Sequence, residues 1–110
     1  MTIDTSSERR RYRAHGIVQG VGFRPFVHRL ARAYGLGGYV LNDGEGVLIE
    51  AEGRASDLDA FATEIVASPP ALARVDALTA EPVTARHERD FAIRTSVDAA
   101  GGRSVLVPPD

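Results

Sequence analysis

Two stretches of the chain repeat apolar residues at the spacing of an α-helix. Pro25 stands at the expected first position of the first helix, where its missing N–H costs nothing, and Gly35 ends the stretch. Ser56 is the expected N-cap of the second helix, with Asp59 as its capping-box partner. The apolar stripes consist of Phe26, Val27, Leu30, Ala31 and Tyr34, and of Leu58, Phe61, Ala62, Ile65 and Val66.

Short apolar runs around these helices predict strands. They lie at residues 12–18, 39–41, 47–52, 74–80 and 91–94, and the fourth is expected to end before Pro82. The turn at 42–46 contains two glycines and predicts a hairpin between the second and third strands. The resulting order, β-α-β-β-α-β with a short final strand, predicts an α+β ferredoxin-like split βαβ sandwich. Both helices are expected on one face of a mostly antiparallel sheet of order 4-1-3-2.

The length of 110 residues is that of one domain. The expected boundaries are a disordered lead-in at 1–9, a folded domain at 10–96 and a linker or tail at 97–110. The absence of cysteine excludes disulfides and thiolate sites. The apolar runs are too short to span a membrane, and the polar N-terminus is not a secretory signal, so a cytoplasmic protein is expected.

Charge is distributed unevenly along the chain. Residues 1–40 contain seven arginines against two acids, whereas residues 41–110 contain six arginines against thirteen acids. All thirteen basic residues are arginine, so an anion site must be built from guanidinium and backbone N–H groups. The run Arg9-Arg10-Arg11 is expected to be solvated and to widen the positive field.

The segment 16–26 combines three features of an anion site. Glycines let successive N–H groups point into one concavity, the loop leads into a helix N-terminus, and Arg24 stands at the helix entry. Walker A is excluded because the loop has no Lys, Ser or Thr, and the dinucleotide fingerprint is excluded by Pro25. A glycine-rich turn without a ligand is the alternative interpretation.

The same segment closely resembles a known signature. The pattern Gly16-x-Val18-Gln19-Gly20-Val21-x-Phe23-Arg24 is similar to that of the acylphosphatase family, and the strand 38–42 with the acidic strand 46–53 resembles its second element. The resemblance covers about residues 10–95. The continuation at 22–31 looks like the N-terminal acylphosphatase-like domain of the hydrogenase-maturation carbamoyltransferases. The tail 107–110 resembles the point where those longer proteins enter a cysteine-rich zinc-binding region, which indicates an excised domain.

The resemblance implies hydrolysis of an acyl phosphate, most specifically carbamoyl phosphate. In the full-length family this domain would release carbamate, and later domains would activate it with ATP and pass the carbamoyl group to a cysteine of a maturation protein. The alternative is a module that only binds phosphate or carbamoyl phosphate. Nucleic-acid binding is disfavoured because the strand 47–52 has two acids and no aromatic residue. No membrane partner is expected.

Two side chains are the expected catalytic residues. Arg24 would clamp the phosphoryl oxygens with its fork of donors; a surface arginine is the alternative. By the family resemblance Asn42 would position the attacking water; a turn asparagine is the alternative. The residues expected to bind phosphate are Gln19, Gly20, Val21, Gly22, Phe23 and Arg24. Residues 19–23 would do so through their backbone N–H groups, so the identity of their side chains matters little.

No general base is assigned among the three histidines. His28 is expected to face solvent, His15 precedes the loop and could face either the site or solvent, and His87 lies in a polar segment. An acyl phosphate has a good leaving group, so a strong base is not required. The resemblance implies that a phosphate oxygen accepts the proton of the water. No metal and no cofactor are predicted, because no His or carboxylate cluster has ligand spacing.

Overall fold

The structure is a computed structural model that describes residues 7–95. Its elements are β1 (Glu8–Ile17), α1 (Phe23–Ala33), β2 (Gly37–Asn42), β3 (Val47–Gly53), α2 (Ala55–Ala67), β4 (Arg74–Val83) and β5 (Phe91–Ile93). The predicted tail at 97–110 and residues 1–6 of the predicted lead-in lie outside the described residues. Within residues 7–95, no helix is long and apolar enough to cross a membrane.

The five strands form one sheet in the order β4-β1-β3-β2-β5. The pairs β1–β3, β1–β4 and β2–β3 are antiparallel, which confirms the predicted order 4-1-3-2. The last strand, β5, adds to the edge of β2 in parallel. The chain therefore has the predicted α+β ferredoxin-like fold.

The core lies between one face of the sheet and the two helices. Side chains of alternate strand residues point to this face because strands have a period of two. Tyr12 of β1 meets Phe61 of α2 edge to face, with ring centroids 5.9 Å apart, and its hydroxyl donates to Leu58 O at 3.4 Å. Val27 of α1 and Val40 of β2 are fully buried in the same cluster. Both helices thus cover the same face, as the apolar stripes predict.

Both helices begin earlier than the sequence predicts. Helix α1 begins at Phe23, and Pro25 falls within its first turn, where backbone N–H groups have no partner inside the helix. Helix α2 begins at Ala55 with Arg54 as its N-cap, so the prediction of Ser56 is wrong. The predicted capping partner, Asp59, instead accepts a hydrogen bond from Arg10 at 2.6 Å.

Strand β4 continues three residues beyond the predicted end at Ala80. It runs through Pro82 to Val83 and pairs with β1 on one side only, because it is the edge strand of the sheet. Proline is tolerated on an edge strand because its missing N–H deprives no second neighbour of a hydrogen bond.

Strand β1 begins at Glu8, so the assignment of Glu8 and Arg9 to a disordered lead-in is wrong. The expectation that the run Arg9–Arg11 is solvated fails most clearly at Arg9, whose side chain is 0% exposed. Its guanidinium lies 2.6 Å from Glu50, 3.0 Å from Glu52 and 3.0 Å from Glu88. A charge buried this deeply requires opposite charges around it.

The two carboxylates of β3 that face Arg9 are held in their ionised form. Burial raises the pKa of Glu50, but hydrogen bonds from Arg9 and Arg11 outweigh it and leave the pKa below its ordinary value. Burial also raises the pKa of Glu52, but hydrogen bonds from backbone N–H groups, led by those of Arg86 and His87, and from Arg9 together leave the pKa below its ordinary value. Glu52 thereby anchors the segment before β5 to the sheet.

Candidate functional site

The loop between β1 and α1 is shaped by glycines in a left-handed conformation. Gly20 has φ 73° and Gly22, the N-cap of α1, has φ 80°. A Cβ at either position would meet no atom within 4 Å, so the backbone angle and not space requires glycine there. Any other residue would be strained by about 1–2 kcal/mol.

The loop presents backbone donors that have no acceptor in the described part of the chain. The amides of Gln19 to Phe23 make no hydrogen bond to residues 7–95, and the first-turn amides of α1 have no partner within the helix. Side chains of the predicted set serve other purposes: Phe23 is buried in the core, and Val21 packs against it. Backbone N–H groups at a glycine loop and helix N-terminus are donors that can bind an anion.

Electrostatics at the start of α1 also favour an anion. The first turn contains no acidic residue, and no side chain of residues 7–95 caps the helix, so no described residue compensates the positive end of the helix dipole there. Arg24 occupies this turn and has no hydrogen-bond or ion-pair partner among residues 7–95. By contrast, the four arginines of β1 are all ion-paired: Arg9, Arg10, Arg11 and Arg13.

The sheet register brings Asn42 to the end of the sheet where the loop lies. Asn42 pairs with Val47, which also pairs with Ala14 near the end of β1, so the loop and Asn42 share one end. Val40, two residues before Asn42, is fully buried in the core beneath the helices. Because strand residues alternate between faces, Asn42 lies on the helix-covered face, where α1 begins.

A side-chain contact joins the loop directly to the hairpin turn. Gln19 Nε2 donates to Gly46 O at 3.1 Å, and Asp43 N donates to the same oxygen at 3.2 Å. The sequence predicts no role for the Gln19 side chain, because a hydrogen bond between residues 27 positions apart leaves no local signal. The turn also depends on Gly46, at φ 138°, whose Cβ would lie 2.4 Å from Ala14 O.

A cavity of about 420 Å³ lies between the loop and the turn. Its lining consists of His15, Gly16, Ile17, Val18, Gln19, Gly44, Glu45 and Gly46. His15, whose orientation the sequence left open, faces this cavity. His28 is half-buried beside Phe91, with ring centroids 6.2 Å apart, so the expectation that it faces solvent is only partly met. His87 is exposed in a left-handed conformation with φ 60°.

Within the residues that the structure describes, no group of three or more His, Cys, Asp or Glu side chains could hold a metal ion. The site combines a cradle of N–H donors, a guanidinium in the first turn of α1 that has no partner among residues 7–95, and an amide side chain at the end of β2. These groups can bind a phosphate-sized anion and present a polar group beside it.

Comparison with known proteins finds similarity to acylphosphatases and to carbamoyltransferases over most of the chain. The acylphosphatase family profile matches residues 10–93. Carbamoyltransferase HypF2 of Cupriavidus necator is 48% identical over 107 residues, which cover 91% of this chain and 13% of that protein. An acylphosphatase of Thermotoga petrophila is 45% identical over 83 residues, which cover 74% of this chain and 91% of that protein.

A solved structure extends the similarity to three dimensions. The crystal structure of full-length HypF in the phosphate- and nucleotide-bound form superposes with a TM-score of 0.81 at 38% identity, covering 86% of this chain and 13% of that one. The chain thus spans only about 13% of the length of its carbamoyltransferase relatives. The chain belongs to the acylphosphatase family.

Proposed function

We propose that this chain hydrolyses an acyl phosphate, with carbamoyl phosphate as its substrate. The observation that carries the proposal is the coincidence of loop amides and an Arg24 side chain that have no partner within residues 7–95, at the same end of the sheet as Asn42. The similarity to an acylphosphatase, 91% of which is matched, supports activity in a domain of this size. The similarity to carbamoyltransferases supports the choice of the carbamoyl group.

In the proposed reaction the loop amides of residues 19–23 and the fork of Arg24 hold the phosphoryl oxygens. Asn42 orients a water molecule with its amide group, and the water oxygen attacks phosphorus. The bond between phosphorus and the acyl oxygen breaks, its electron pair leaves with the carbamate, and a phosphoryl oxygen accepts the proton of the water. Catalysis then comes from positioning and from donors aimed at the charge on the phosphoryl group.

We further propose that the chain acts as the N-terminal domain of a carbamoyltransferase for nickel–iron hydrogenase maturation. Its product would be used by later domains that deliver a carbamoyl group to a maturation protein. The support is the match of this chain to 13% of the length of several carbamoyltransferases.

The test is phosphate release from carbamoyl phosphate, acetyl phosphate and a phosphate monoester. We expect turnover of both acyl phosphates, faster for carbamoyl phosphate, and none of the monoester. In H₂¹⁸O the label is expected in phosphate, because attack is at phosphorus. The matched control is Arg29→Ala, which removes an exposed arginine of the same helix and should leave turnover unchanged, whereas Arg24→Ala should abolish most of it.

A protein that binds carbamoyl phosphate without hydrolysing it would be the binding module that is the alternative function. Label found in carbamate instead of phosphate would contradict attack at phosphorus. Equal losses from Arg24→Ala and Arg29→Ala would refute the role of Arg24 as a clamp, because both changes remove one positive charge from α1.

A further inference from the structure

The hairpin turn that follows Asn42 is held by hydrogen bonds within the turn and by one from the side chain of Gln19, in the loop between β1 and α1. Gly46 O accepts hydrogen bonds from Asp43 N at 3.2 Å and from Gln19 Nε2 at 3.1 Å. Asp43 Oδ1 in turn accepts one from Glu45 N at 3.0 Å. The turn is therefore connected both within itself and to the loop.

A second connection comes from the central part of the sheet. Arg13 of β1 donates from Nη1 to Asp43 Oδ2 at 2.5 Å, and the same nitrogen lies 4.0 Å from Glu45 Oε1. The side chains of Arg13 and Asp43 are 27% and 23% exposed, so salt screens this pair less than a surface pair. Arg13 itself is fixed by strand pairing to Leu48 on one side and Thr79 on the other.

We propose that Arg13 is a positioning residue: its ion pair with Asp43, together with the Gln19–Gly46 hydrogen bond, fixes Asn42 relative to the phosphate cradle. Asp43 is joined to Asn42 by one peptide bond, so holding its carboxylate restrains the orientation of the asparagine. The turn needs this restraint because two of its residues are glycines, which give the backbone wide freedom. This inference rests on the proposed hydrolysis.

The test compares Arg13→Met, Asp43→Asn and the double variant. We expect each single change to lower kcat by about 10-fold to 100-fold, the range in which misplacement of a reacting group acts. The inhibition constant of inorganic phosphate should stay within about twofold, because the cradle is untouched. The kcat of the double variant should be no lower than that of the less active single variant, because both changes remove the same ion pair. Arg13→Lys should recover part of the loss.

The matched control is the ion pair between Arg10 and Asp59. Arg10 is also a β1 arginine, is 24% exposed and lies 2.6 Å from its carboxylate, but its partner belongs to α2. Arg10→Met and Asp59→Asn should leave kcat unchanged, and the melting temperature of every variant is measured beside its kcat. This separates positioning from a general loss of stability.

Unchanged kcat in Arg13→Met, a parallel loss of phosphate affinity, or single effects that multiply in the double variant would each overturn the proposal. A second readout works if the parent itself does not hydrolyse carbamoyl phosphate, which would be a failure of the proposed function. The ¹⁵N–¹H heteronuclear NOE of residues 42–46 reports picosecond–nanosecond order. It should fall in Arg13→Met and not in Arg10→Met; equal values in both would overturn the positioning role.

Discussion

Replacing Arg9 by Met tests the buried charge network that Arg9 forms with the carboxylates around it. The Arg9 guanidinium is 0% exposed and lies within 3.0 Å of three carboxylates, of Glu50, Glu52 and Glu88. Methionine fills much of the same space with an apolar chain but leaves these carboxylates without their shared cation.

Removing one partner of a buried ion pair costs about 3–5 kcal/mol, because the remaining charge is desolvated. Because Glu50 keeps its contact with Arg11 and Glu52 keeps the backbone N–H groups before β5, we expect the lower end of this range, about 3 kcal/mol, in Arg9→Met. The control, Arg10→Met, breaks pairs with Asp59 and Glu8, whose carboxylates are 71% and 53% exposed, and such exposed pairs typically contribute about 0–1 kcal/mol. Domains have a total stability of about 5–15 kcal/mol, so the Arg9 variant should remain folded but with a much reduced margin.

Urea unfolding measures the difference directly. With an m-value of about 2 kcal/mol/M, a loss of 3 kcal/mol lowers the midpoint by about 1.5 M in Arg9→Met, against less than about 0.5 M in the control. The dependence of stability on acid pH gives an independent check of the role of these carboxylates. The folded-state pKa values of Glu50 and Glu52 lie below their ordinary value of 4.5, so the parent loses stability as pH falls from 4.5 through those lowered values.

In Arg9→Met these two carboxylates lose hydrogen bonds that lower their pKa values, so their folded-state pKa values rise. The variant then loses less stability than the parent below pH 4.5. The difference between the unfolding free energies of the two proteins should therefore become smaller as the pH falls. Two results would refute the view that Arg9 stabilises the fold through these carboxylates. One is a difference in unfolding free energy between parent and Arg9→Met that stays constant from pH 7 to pH 3.5. The other is a loss of stability in Arg9→Met no larger than that in Arg10→Met.

Three further changes test the site. Arg24→Ala should lower kcat by about 10²–10³, the effect of removing one preorganised donor, and weaken phosphate binding; Arg24→Lys should restore little, because a point charge cannot replace the fork, and near-full activity would contradict bidentate clamping. Asn42→Ala should lower kcat while phosphate affinity stays constant in titration, since the amide orients water and does not hold phosphate; activity equal to the parent would make Asn42 a turn residue only. Gly22→Ala should destabilise the domain by about 1–2 kcal/mol in urea and weaken phosphate binding, because φ 80° is unfavourable for alanine; an unchanged midpoint would contradict a backbone role.

Local patterns are sufficient for the backbone geometry of the loop between β1 and α1. Gly20, Gly22 and Arg24 are neighbours in sequence, so their geometry follows from a short loop leading into a helix. The contact of Gln19 with Gly46 could not be found in this way, because the two residues meet only when the loop and the hairpin reach the same end of the sheet. The same holds for His15, which faces a cavity formed by both segments.

By itself, the sequence determined the order and type of the elements, because apolar periodicity records which face of each helix or strand is buried. It also determined the strand order β4-β1-β3-β2, since two βαβ units that share a hairpin have few ways to pack. Only the tertiary structure decided that Arg9 is buried and that β5 pairs with β2. The physical reason is that a charged residue can be buried only where distant carboxylates converge on it, and an edge strand joins whichever backbone is exposed beside it. The carboxylates around Arg9 and the β2 edge beside β5 are both distant in sequence, so neither can be predicted from local residues.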